Sequence, residues 1–470
     1  MKIFTFLGRR VLYVSAILCD FINALVDALT KQKGFNAEFG KETDIASRFN
    51  RGFVISKHRR LSRLDSYANM IVTAPSGAGK TVRIILPNIF EIKNASMIIS
   101  DPAMQIFMLA SGYLSKFFTI KSLNFSDVAS SCGFNVFSFI KKPNDVSRIA
   151  SLLAANLEGP GNSDPFWQIQ SINTLEIIIQ LILYQPVEYH NMANVVQCLH
   201  LLSAEPKKID TLIAKTNDDA LILRYKSLIS NSERTLQSIL SSAKAATRIF
   251  EDVQISKITS HNSIKFAEFR KKPTILFLHN SIADQKYVRI LSSLFFEAFY
   301  GHILQGLPEK NDLDIFCIME ELSSFSKIPI LPLALANCRK TRTSTLAVIQ
   351  CKSQLTNLYR EDADTIISNC LTRLYLPGIT EMDVLREIEN LSGKCIYKDE
   401  KGIERVKPLI EMDAIRLLPK NRSLIISGNN AIIKGRTRPY FKSHTYRKYS
   451  QIPPVSLKGD IPDEPIPMLT

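Results

Sequence analysis

Short apolar runs rich in β-branched residues recur along the chain, separated by stretches with helical periodicity. Nearly continuous apolar runs of this length are typical of parallel strands that are buried on both faces. The runs predict strands at Met70–Ala74, Ser96–Ser100, Phe118–Leu123, Thr274–His279, Asp314–Met319, Thr345–Gln350, Thr372–Leu376 and Ser423–Ser427. The pattern therefore predicts an α/β fold around a mostly parallel sheet.

No strand-like apolar run occurs between Pro143 and about Asn262. Helical periodicity takes its place in consecutive segments: Val146–Leu157, Trp167–Tyr184, Met192–Leu202, Ile209–Lys215, Asp219–Ile229 and Ser232–Phe250. We therefore expect an all-α domain at 146–262, inserted between the two parts of the α/β core at 51–145 and 263–441. Residues 442–470 end in a proline-rich acidic stretch that cannot build a core, and we expect a flexible tail there.

The composition is that of an ordinary folded protein: of the 470 residues, 46% are hydrophobic and 22% are charged, which excludes a largely disordered chain. The formal net charge of +15 favours nucleic acid or an anionic membrane surface as a partner. The eight cysteines contain no C-x-x-C pair, and the seven histidines do not cluster with them. The sequence therefore predicts neither a disulfide framework nor a zinc knuckle, and a reducing compartment fits best.

The N-terminal segment 1–50 contains a mostly apolar stretch, Val11–Leu29, which polar residues interrupt at one side of a helix: Asp20, Asn23 and Asp27. Two carboxylates in a bilayer-spanning helix would be costly. The stretch therefore predicts an amphipathic helix rather than a membrane span. It could dock on the protein itself, on a partner, or peripherally on a membrane surface.

The strongest chemical signal follows the first apolar run and precedes a helical pattern: Ala74-Pro75-Ser76-Gly77-Ala78-Gly79-Lys80-Thr81. Apart from Ala74, where glycine is usual, it matches a phosphate-binding loop. Small residues let backbone N–H groups surround a phosphate, the lysine reaches the terminal phosphates, and the threonine hydroxyl binds Mg²⁺. The alternative is a glycine-rich turn that carries this motif by chance. The sequence predicts a nucleotide site with ATP and Mg²⁺ as cofactors.

A second element of such a site is an apolar strand that ends in acidic residues, and Asp314–Met319 is followed by Glu320 and Glu321. Glu320 would hold the Mg²⁺ shell, and Glu321 would polarise the attacking water. The alternative is a solvated acidic turn. Aspartate is commoner than glutamate at the first position, so the longer Glu320 side chain makes the metal geometry less regular.

At this point the sequence resembles the coupling-protein ATPases of type IV secretion and conjugation (the TraD/TraG family), from about Gly52 to Phe441. The motifs that carry the resemblance, besides the loop, occur in the family's order: Pro87-Asn88, Asp101-Pro102, Asp164-Pro165-Phe166-Trp167-Gln168, Glu320-Glu321-Leu322, Ile328-Pro329, Cys338-Arg339-Lys340, Ile349-Gln350-Cys351 with Gln354-Leu355, Asn369-Cys370 and Leu417-Leu418-Pro419.

The resemblance implies a RecA-like P-loop NTPase domain with an inserted all-α domain, acting as a homo-hexameric ring. It implies a cytoplasmic location at the inner face of the bacterial inner membrane, with secretion-channel or relaxosome proteins as partners. ATP hydrolysis would drive DNA, nucleoprotein or protein towards the channel. By the same resemblance, Lys80 and Thr81 hold phosphate and metal, Glu321 is the catalytic glutamate, and Gln350 senses the γ-phosphate. Arg339 resembles an arginine finger, although a solvated basic turn explains it equally.

Two departures from the family pattern bear on function. Ala103-Met104-Gln105 replaces a Lys-Gly-Glu-like run, and the usual two membrane-spanning helices are not recognisable before Leu29. The alternative function is a non-hydrolysing nucleotide-binding adaptor that recruits protein cargo without DNA. A chromosomal DNA pump of the FtsK type is a third reading, but no winged-helix module is recognisable after Phe441.

Basic residues concentrate in two places, at 57–63 and at 434–448, and the second also contains Tyr440, Phe441, Tyr446 and Tyr449. This composition suits phosphate contact and base stacking, so nonspecific, salt-dependent DNA binding is one expectation. The alternative is a solvated strand and turn whose aromatic side chains pack in the core.

Overall fold

The computed structural model describes residues 36–155, 165–279 and 283–469. Within them, thirteen strands form one large sheet and two small hairpins. The strands are β1 Val54–Ser56, β2 Arg59–Arg60, β3 Met70–Thr73, β4 Ala95–Ser100, β5 Thr119–Asn124, β6 Thr274–His279, β7 Asp314–Met319, β8 Thr343–Ile349, β9 Thr372–Tyr375, β10 Lys394–Lys398, β11 Glu404–Pro408, β12 Arg422–Ser427 and β13 Ile433–Arg436. The hairpins are β1–β2 and β10–β11.

The large sheet has the order β13-β12-β9-β3-β8-β7-β4-β6-β5. The seven strands from β9 to β5 are parallel, and most of their residues are buried because helices cover both faces of the sheet, whereas the first half of the edge strand β5 is partly exposed. The predicted strand at Ser423–Ser427 exists, but it pairs antiparallel with β9 and carries a further antiparallel strand, β13, at the edge. A short turn connects β12 to β13, and this is why the pair forms a hairpin rather than a parallel crossover.

Most of the α-helices in the described residues lie between β5 and β6 or alternate with the later strands. Their bounds are Glu42–Ile45, Arg63–Ser66, Leu86–Glu91, Gln105–Leu114, Pro143–Ala155, Pro165–Leu183, Met192–Ala204, Pro206–Lys215, Asp219–Ile229, Glu233–Thr247, Val253–Ser260, Glu268–Lys271, Gln285–Ile303, Leu331–Thr341, Lys352–Tyr359, Asp362–Ser368, Met382–Ser392, Met412–Arg416 and His444–Ser450. The helices between β5 and β6 overlap the six periodic segments of the sequence, and two further helices, Val253–Ser260 and Glu268–Lys271, were not predicted.

Two hydrophobic cores cover the two faces of the sheet. One joins residues of the strands, such as Leu276 and Ile315, to the helical region between β5 and β6, so that region is packed continuously with one face of the sheet. The other contains Val72, Ile99 and the helices Leu86–Glu91 and Gln105–Leu114. The loop that follows β3 lies at one edge of these layers.

The C-terminal segment 451–469, for which the sequence predicts a flexible tail, contacts the rest of the chain at several points. The Gly459 N–H donates to the Ala129 carbonyl at 2.6 Å, and the Leu469 N–H donates to the Asn194 side chain at 2.8 Å. Leu469 itself is buried in the core beneath the helical region. The segment has little regular structure because prolines prevent it, but its apolar residues still find sites on the surface.

The predicted amphipathic helix at 11–29 lies outside the described residues. Among residues 36–155, 165–279 and 283–469, none of the helices combines the length and the apolar character needed to cross a bilayer.

Candidate nucleotide-binding and catalytic site

Three parallel strands end beside one another at the edge of the sheet where the predicted phosphate loop lies. β8 separates β3 from β7, and all three run in the same direction. The loop after β3 therefore faces the acidic pair after β7, with the end of β8 between them. Thr73 pairs with Ile349, so Gln350 leaves β8 level with the start of the loop. Parallel strands place ligand sites at this carboxyl edge.

The loop has the backbone conformation that an anion cradle requires. Gly77 and Gly79 have φ angles of +78° and +86°, which L side chains rarely adopt. Left-handed residues between right-handed ones turn successive N–H groups to the same side, towards an anion. After the loop, the wide π-helical turn Thr81–Ile85 continues into the helix Leu86–Glu91, whose N-terminal end points at the cradle.

Ala74 stands where glycine is usual, and the structure shows why alanine is accepted there. Its φ is not positive, unlike that of Gly77 and Gly79. Its side chain is fully buried, and its N–H donates to the Ile349 carbonyl at 2.9 Å. The alanine therefore continues the β3–β8 pairing, and the glycine-dependent part of the loop begins only afterwards.

The lysine and threonine of the loop each contact one member of the acidic pair. Lys80 Nζ lies 2.9 Å from Glu321 Oε2. The Thr81 hydroxyl donates to Glu320 Oε1 at 2.5 Å. The structure thus brings together four of the residues for which the sequence predicted a shared role.

Gln350 completes this network from the end of β8. Its Nε2 donates to Glu321 Oε1 at 2.6 Å, and the Ser323 hydroxyl donates to the same oxygen at 3.1 Å. Both oxygens of Glu321 are therefore held, one by Lys80 and one by Gln350 and Ser323. A carboxylate fixed in this way has one orientation towards the cradle, which suits the positioning of a water molecule.

Burial is the main influence on the pKa of Glu320, the first member of the acidic pair. Desolvation raises the pKa of Glu320, while the Thr81 hydrogen bond and the positive charge of Lys80 oppose this rise. Bringing a divalent cation close to this carboxylate would favour its ionised form. Within the described residues there is no group of three or more histidine, cysteine, aspartate or glutamate side chains that could hold a metal unaided. The Thr81 and Glu320 oxygens instead match Mg²⁺ bound largely through nucleotide phosphates.

Two buried residues behind the acidic pair lacked an assigned role in the sequence analysis, although Asp101 was noted in the family motif. Asp101 follows β4, the neighbour of β7, and burial raises its pKa to about 7. His279 ends β6 and lies with Nδ1 3.9 Å from Asp101 Oδ2; burial lowers its pKa to about 4. The signal in the sequence was the same as for Glu320, a polar residue at the end of an apolar strand.

Asp101 also explains what the run Ala103-Met104-Gln105 does in this chain. The N–H groups of Ile106 and Phe107 donate to the two oxygens of Asp101, at 3.1 and 2.6 Å. Met104 adopts a left-handed conformation, with φ of +56°, directly before the helix Gln105–Leu114. The run therefore forms the turn that lets Asp101 hold the start of that helix.

Arg339 is the predicted site residue that the structure does not bring to the cradle. It is exposed in the last turn of the helix Leu331–Thr341, which leads into β8 at Thr343. The cradle lies at the other end of β8, roughly 20 Å away at about 3.3 Å per residue. Within one chain, Arg339 cannot contact a nucleotide bound at the loop.

With this geometry established, comparison with known proteins gives the family. The family model for type IV secretory system conjugative DNA transfer matches residues 26–458, nearly the whole chain. The chain belongs to this family. Membership in the conjugative DNA-transfer family confirms the resemblance that the sequence motifs indicated.

The curated and solved relatives of this family member are distant in sequence. VirD4 of Rhizobium radiobacter is 20% identical over an alignment of 435 positions that covers 85% of this chain and 60% of VirD4, so the chain spans about three fifths of that relative's length. The bacterial conjugative coupling protein TrwBdeltaN70, in complex with sulphate, has a TM-score of 0.69 and 17% identity over 86% of this chain and 93% of its own.

The plasmid coupling protein TrwB in complex with ADP and Mg²⁺ superposes with a TM-score of 0.68 and 17% identity, over 89% of this chain and 96% of its own. These matches establish the fold. The predicted RecA-like fold with a mostly parallel sheet is confirmed.

Proposed function

We propose that this protein is an ATP-hydrolysing coupling protein, which drives a DNA or nucleoprotein substrate to a type IV secretion channel. One observation carries the enzymatic part of the proposal: Lys80 and Thr81 of the loop face Glu321 and Glu320 in direct contact, with Gln350 on the same carboxylate. These are the residue types that phosphoryl transfer needs, because it depends on positioning and charge neutralisation rather than on covalent chemistry.

Each residue has a defined task in this proposal. The loop N–H groups between Pro75 and Thr81 hold the phosphates, and Lys80 exchanges its contact with Glu321 for the terminal phosphates. Glu321, released from Lys80 but still held by Gln350 and Ser323, orients the attacking water. Gln350 then lies where the γ-phosphate can be sensed.

The residues present also fit Mg²⁺, which would be held by the Thr81 hydroxyl and, directly or through water, by the Glu320 carboxylate. The ion would neutralise charge on the phosphates. The TrwB structures solved with ADP and Mg²⁺ and with a non-hydrolysable ATP analogue support this choice of cofactors, since they share the fold.

The partners follow from the family rather than from the site. We infer that the protein acts as a homo-hexamer at the inner face of the bacterial inner membrane, together with channel or relaxosome proteins. In a ring, Arg339 would reach the cradle of a neighbouring subunit and stabilise charge developing in the transition state.

Phosphate release by the wild type and by Glu321→Gln tests the enzymatic proposal. We expect the variant to bind a fluorescent ATP analogue with similar affinity but to release phosphate at least about a hundredfold more slowly, because glutamine cannot accept a proton from water. A Glu309→Gln variant is the matched control, because Glu309 is an exposed glutamate of the same domain. Equal, background-level release from all three proteins would favour the non-hydrolysing adaptor instead.

A further inference from the structure

The two basic clusters that are far apart in the sequence line one cavity in the structure. The cavity has a volume of about 410 Å³ and lies between the β1–β2 hairpin, the helix Leu86–Glu91 and the segment after β13. Its basic lining residues are Arg48, Lys57, His58, Arg60, Arg83 and Arg438. A backbone hydrogen bond from Lys57 to the Arg436 carbonyl, at 2.8 Å, holds the two clusters together.

The protein balances the positive charge of this cavity only in part: Glu42 accepts a hydrogen bond from the lining residue Ser56 at 2.8 Å, and Glu91 is itself part of the lining. Glu91 is the acidic residue of the lining, and both of its oxygens are occupied, by Arg60 at 2.6 Å and by the Tyr446 hydroxyl at 2.5 Å. Over the described ranges, no carboxylate lies within ion-pair distance of the other cations: Arg48, Lys57, Arg83 and Arg438.

His58 reports the same imbalance. Its pKa is lowered by burial and further by repulsion from Lys57, Arg48 and Arg438, while the Glu42 carboxylate opposes this shift without reversing it. Positive charges that are held together without an acidic partner are costly, and an anion that joins them would remove the repulsion. The cavity is therefore a site for an anionic ligand.

The chemistry of the lining favours phosphate over a base. The Tyr446 ring stacks on Phe90, and the Tyr449 ring stacks on Tyr113 at a centroid distance of 3.6 Å. Each of these rings therefore already has one face covered by an aromatic neighbour, and Tyr446 is the one aromatic residue of the lining. Arginine and lysine, in contrast, are the usual ligands of backbone phosphates.

We propose that this cavity binds the phosphate backbone of a single nucleic-acid strand, without selecting its bases. This assignment rests on the proposed function for the choice of DNA as the ligand. It adds the place where the DNA strand is held. The cavity also adjoins the nucleotide cradle, because Arg83 Nε would lie 3.0 Å from a Cβ placed on Gly79. Arg83 therefore borders both the proposed DNA site and the nucleotide site.

The test measures the anisotropy of a short fluorescein-labelled oligothymidylate with the full chain. The variant is Lys57→Gln with Arg438→Gln, which leaves out Arg83 because of its contact with the cradle. Lys116→Gln with Lys310→Gln is the matched control, since it removes two exposed charges elsewhere. Loss of two phosphate contacts should weaken binding about 20-fold at 0.1 M salt and reduce the salt slope by about 1.4, whereas the control stays near the wild type.

Three further readouts separate the possible failures. A fluorescent ATP analogue and thermal unfolding should be unaffected in the double variant, which shows that the fold and the cradle are intact. Oligonucleotide binding equal to that of the control would overturn the proposal, even if Glu321→Gln abolishes hydrolysis as expected. Parallel loss of ATP-analogue binding would assign the cavity to a free nucleotide, and selective loss of binding to phosphatidylglycerol vesicles would assign it to a membrane; either result would overturn the strand assignment.

Discussion

The Thr81 hydroxyl donates a hydrogen bond to the Glu320 carboxylate across 2.5 Å, although the two residues lie 239 positions apart in the sequence. Both side chains are only 8% exposed. The extra methylene of glutamate therefore does not prevent its carboxylate from reaching the hydroxyl that begins the helix after the loop. This contact fixes the distance between the phosphate loop and the acidic strand end, and several consequences can be measured.

Thr81→Val should remove the hydroxyl while keeping the shape of the side chain. The buried Glu320 carboxyl would lose its partner, so the free energy of unfolding should fall by about 1–3 kcal/mol. Affinity for the ATP analogue should lose its dependence on Mg²⁺. Thr81→Ser should retain both properties, and a serine variant that behaves like valine would show that the hydroxyl is not the relevant group.

Ala74→Gly would restore the residue that is usual at this position of the loop. Because Ala74 is buried and has no positive φ, we expect the change to lower the free energy of unfolding by about 1 kcal/mol, through the lost methyl burial and the greater freedom of the unfolded chain. Nucleotide affinity should not improve. Gly77→Ala is the comparison: its φ of +78° predicts a loss of both stability and nucleotide affinity. Tighter ATP-analogue binding by Ala74→Gly would contradict this explanation.

Asp101 and His279 should make the free energy of unfolding depend on pH in opposite directions. The raised pKa of Asp101, about 7 against 3.8 when unfolded, means that its contribution is present below pH 3.8 and is lost as pH rises to about 7. The lowered pKa of His279, about 4, means that its contribution is lost as pH falls from 6.5 to about 4. The two slopes therefore largely cancel between pH 4 and 6.5.

Asp101→Asn should reveal how the free energy of unfolding depends on pH through His279 alone. Relative to the wild type, its free energy of unfolding should increase with pH by up to about 1.4 kcal/mol per pH unit in that window. His279→Asn should change in the opposite direction. Urea unfolding at several pH values measures the free energy of unfolding of both variants. If its dependence on pH is the same for the wild type and the two variants, the opposite contributions of Asp101 and His279 are excluded.

Arg339 tests whether the site is completed by a second subunit. Arg339→Ala should bind the ATP analogue normally and release phosphate far more slowly, by about a thousandfold, because transition-state charge loses its partner. Mixing it with the inactive Glu321→Gln protein should restore part of the activity, since some interfaces then combine an intact Glu321 with an intact Arg339. Lys340→Ala, its neighbour, should remain active. No recovery on mixing would contradict a role across the interface.

The apolar runs predicted the parallel strands well, because strands that are buried on both faces need continuous apolar sequence. The same reasoning could not give the direction of β12 or the presence of β13, since short edge strands with charged residues such as Lys434 resemble loops. It also could not place the tail, because Leu469 contacts Asn194, which lies 275 positions away in the sequence. The loop and acidic pair were predictable because their residue types are fixed by phosphate chemistry. Gln350 came only from family resemblance, and His279 was missed because a histidine at the end of an apolar strand, unlike an acidic pair that accompanies a phosphate loop, matches no motif.

The central claim is that a triphosphate binds between the loop and the acidic pair. A crystal structure with Mg²⁺ and a non-hydrolysable ATP analogue measures this most directly. We predict that Lys80 Nζ leaves Glu321, which it contacts at 2.9 Å here, and moves within hydrogen-bond distance of the terminal phosphate, with the metal beside Thr81. A nucleotide bound elsewhere, with the Lys80–Glu321 contact unchanged, would contradict the account.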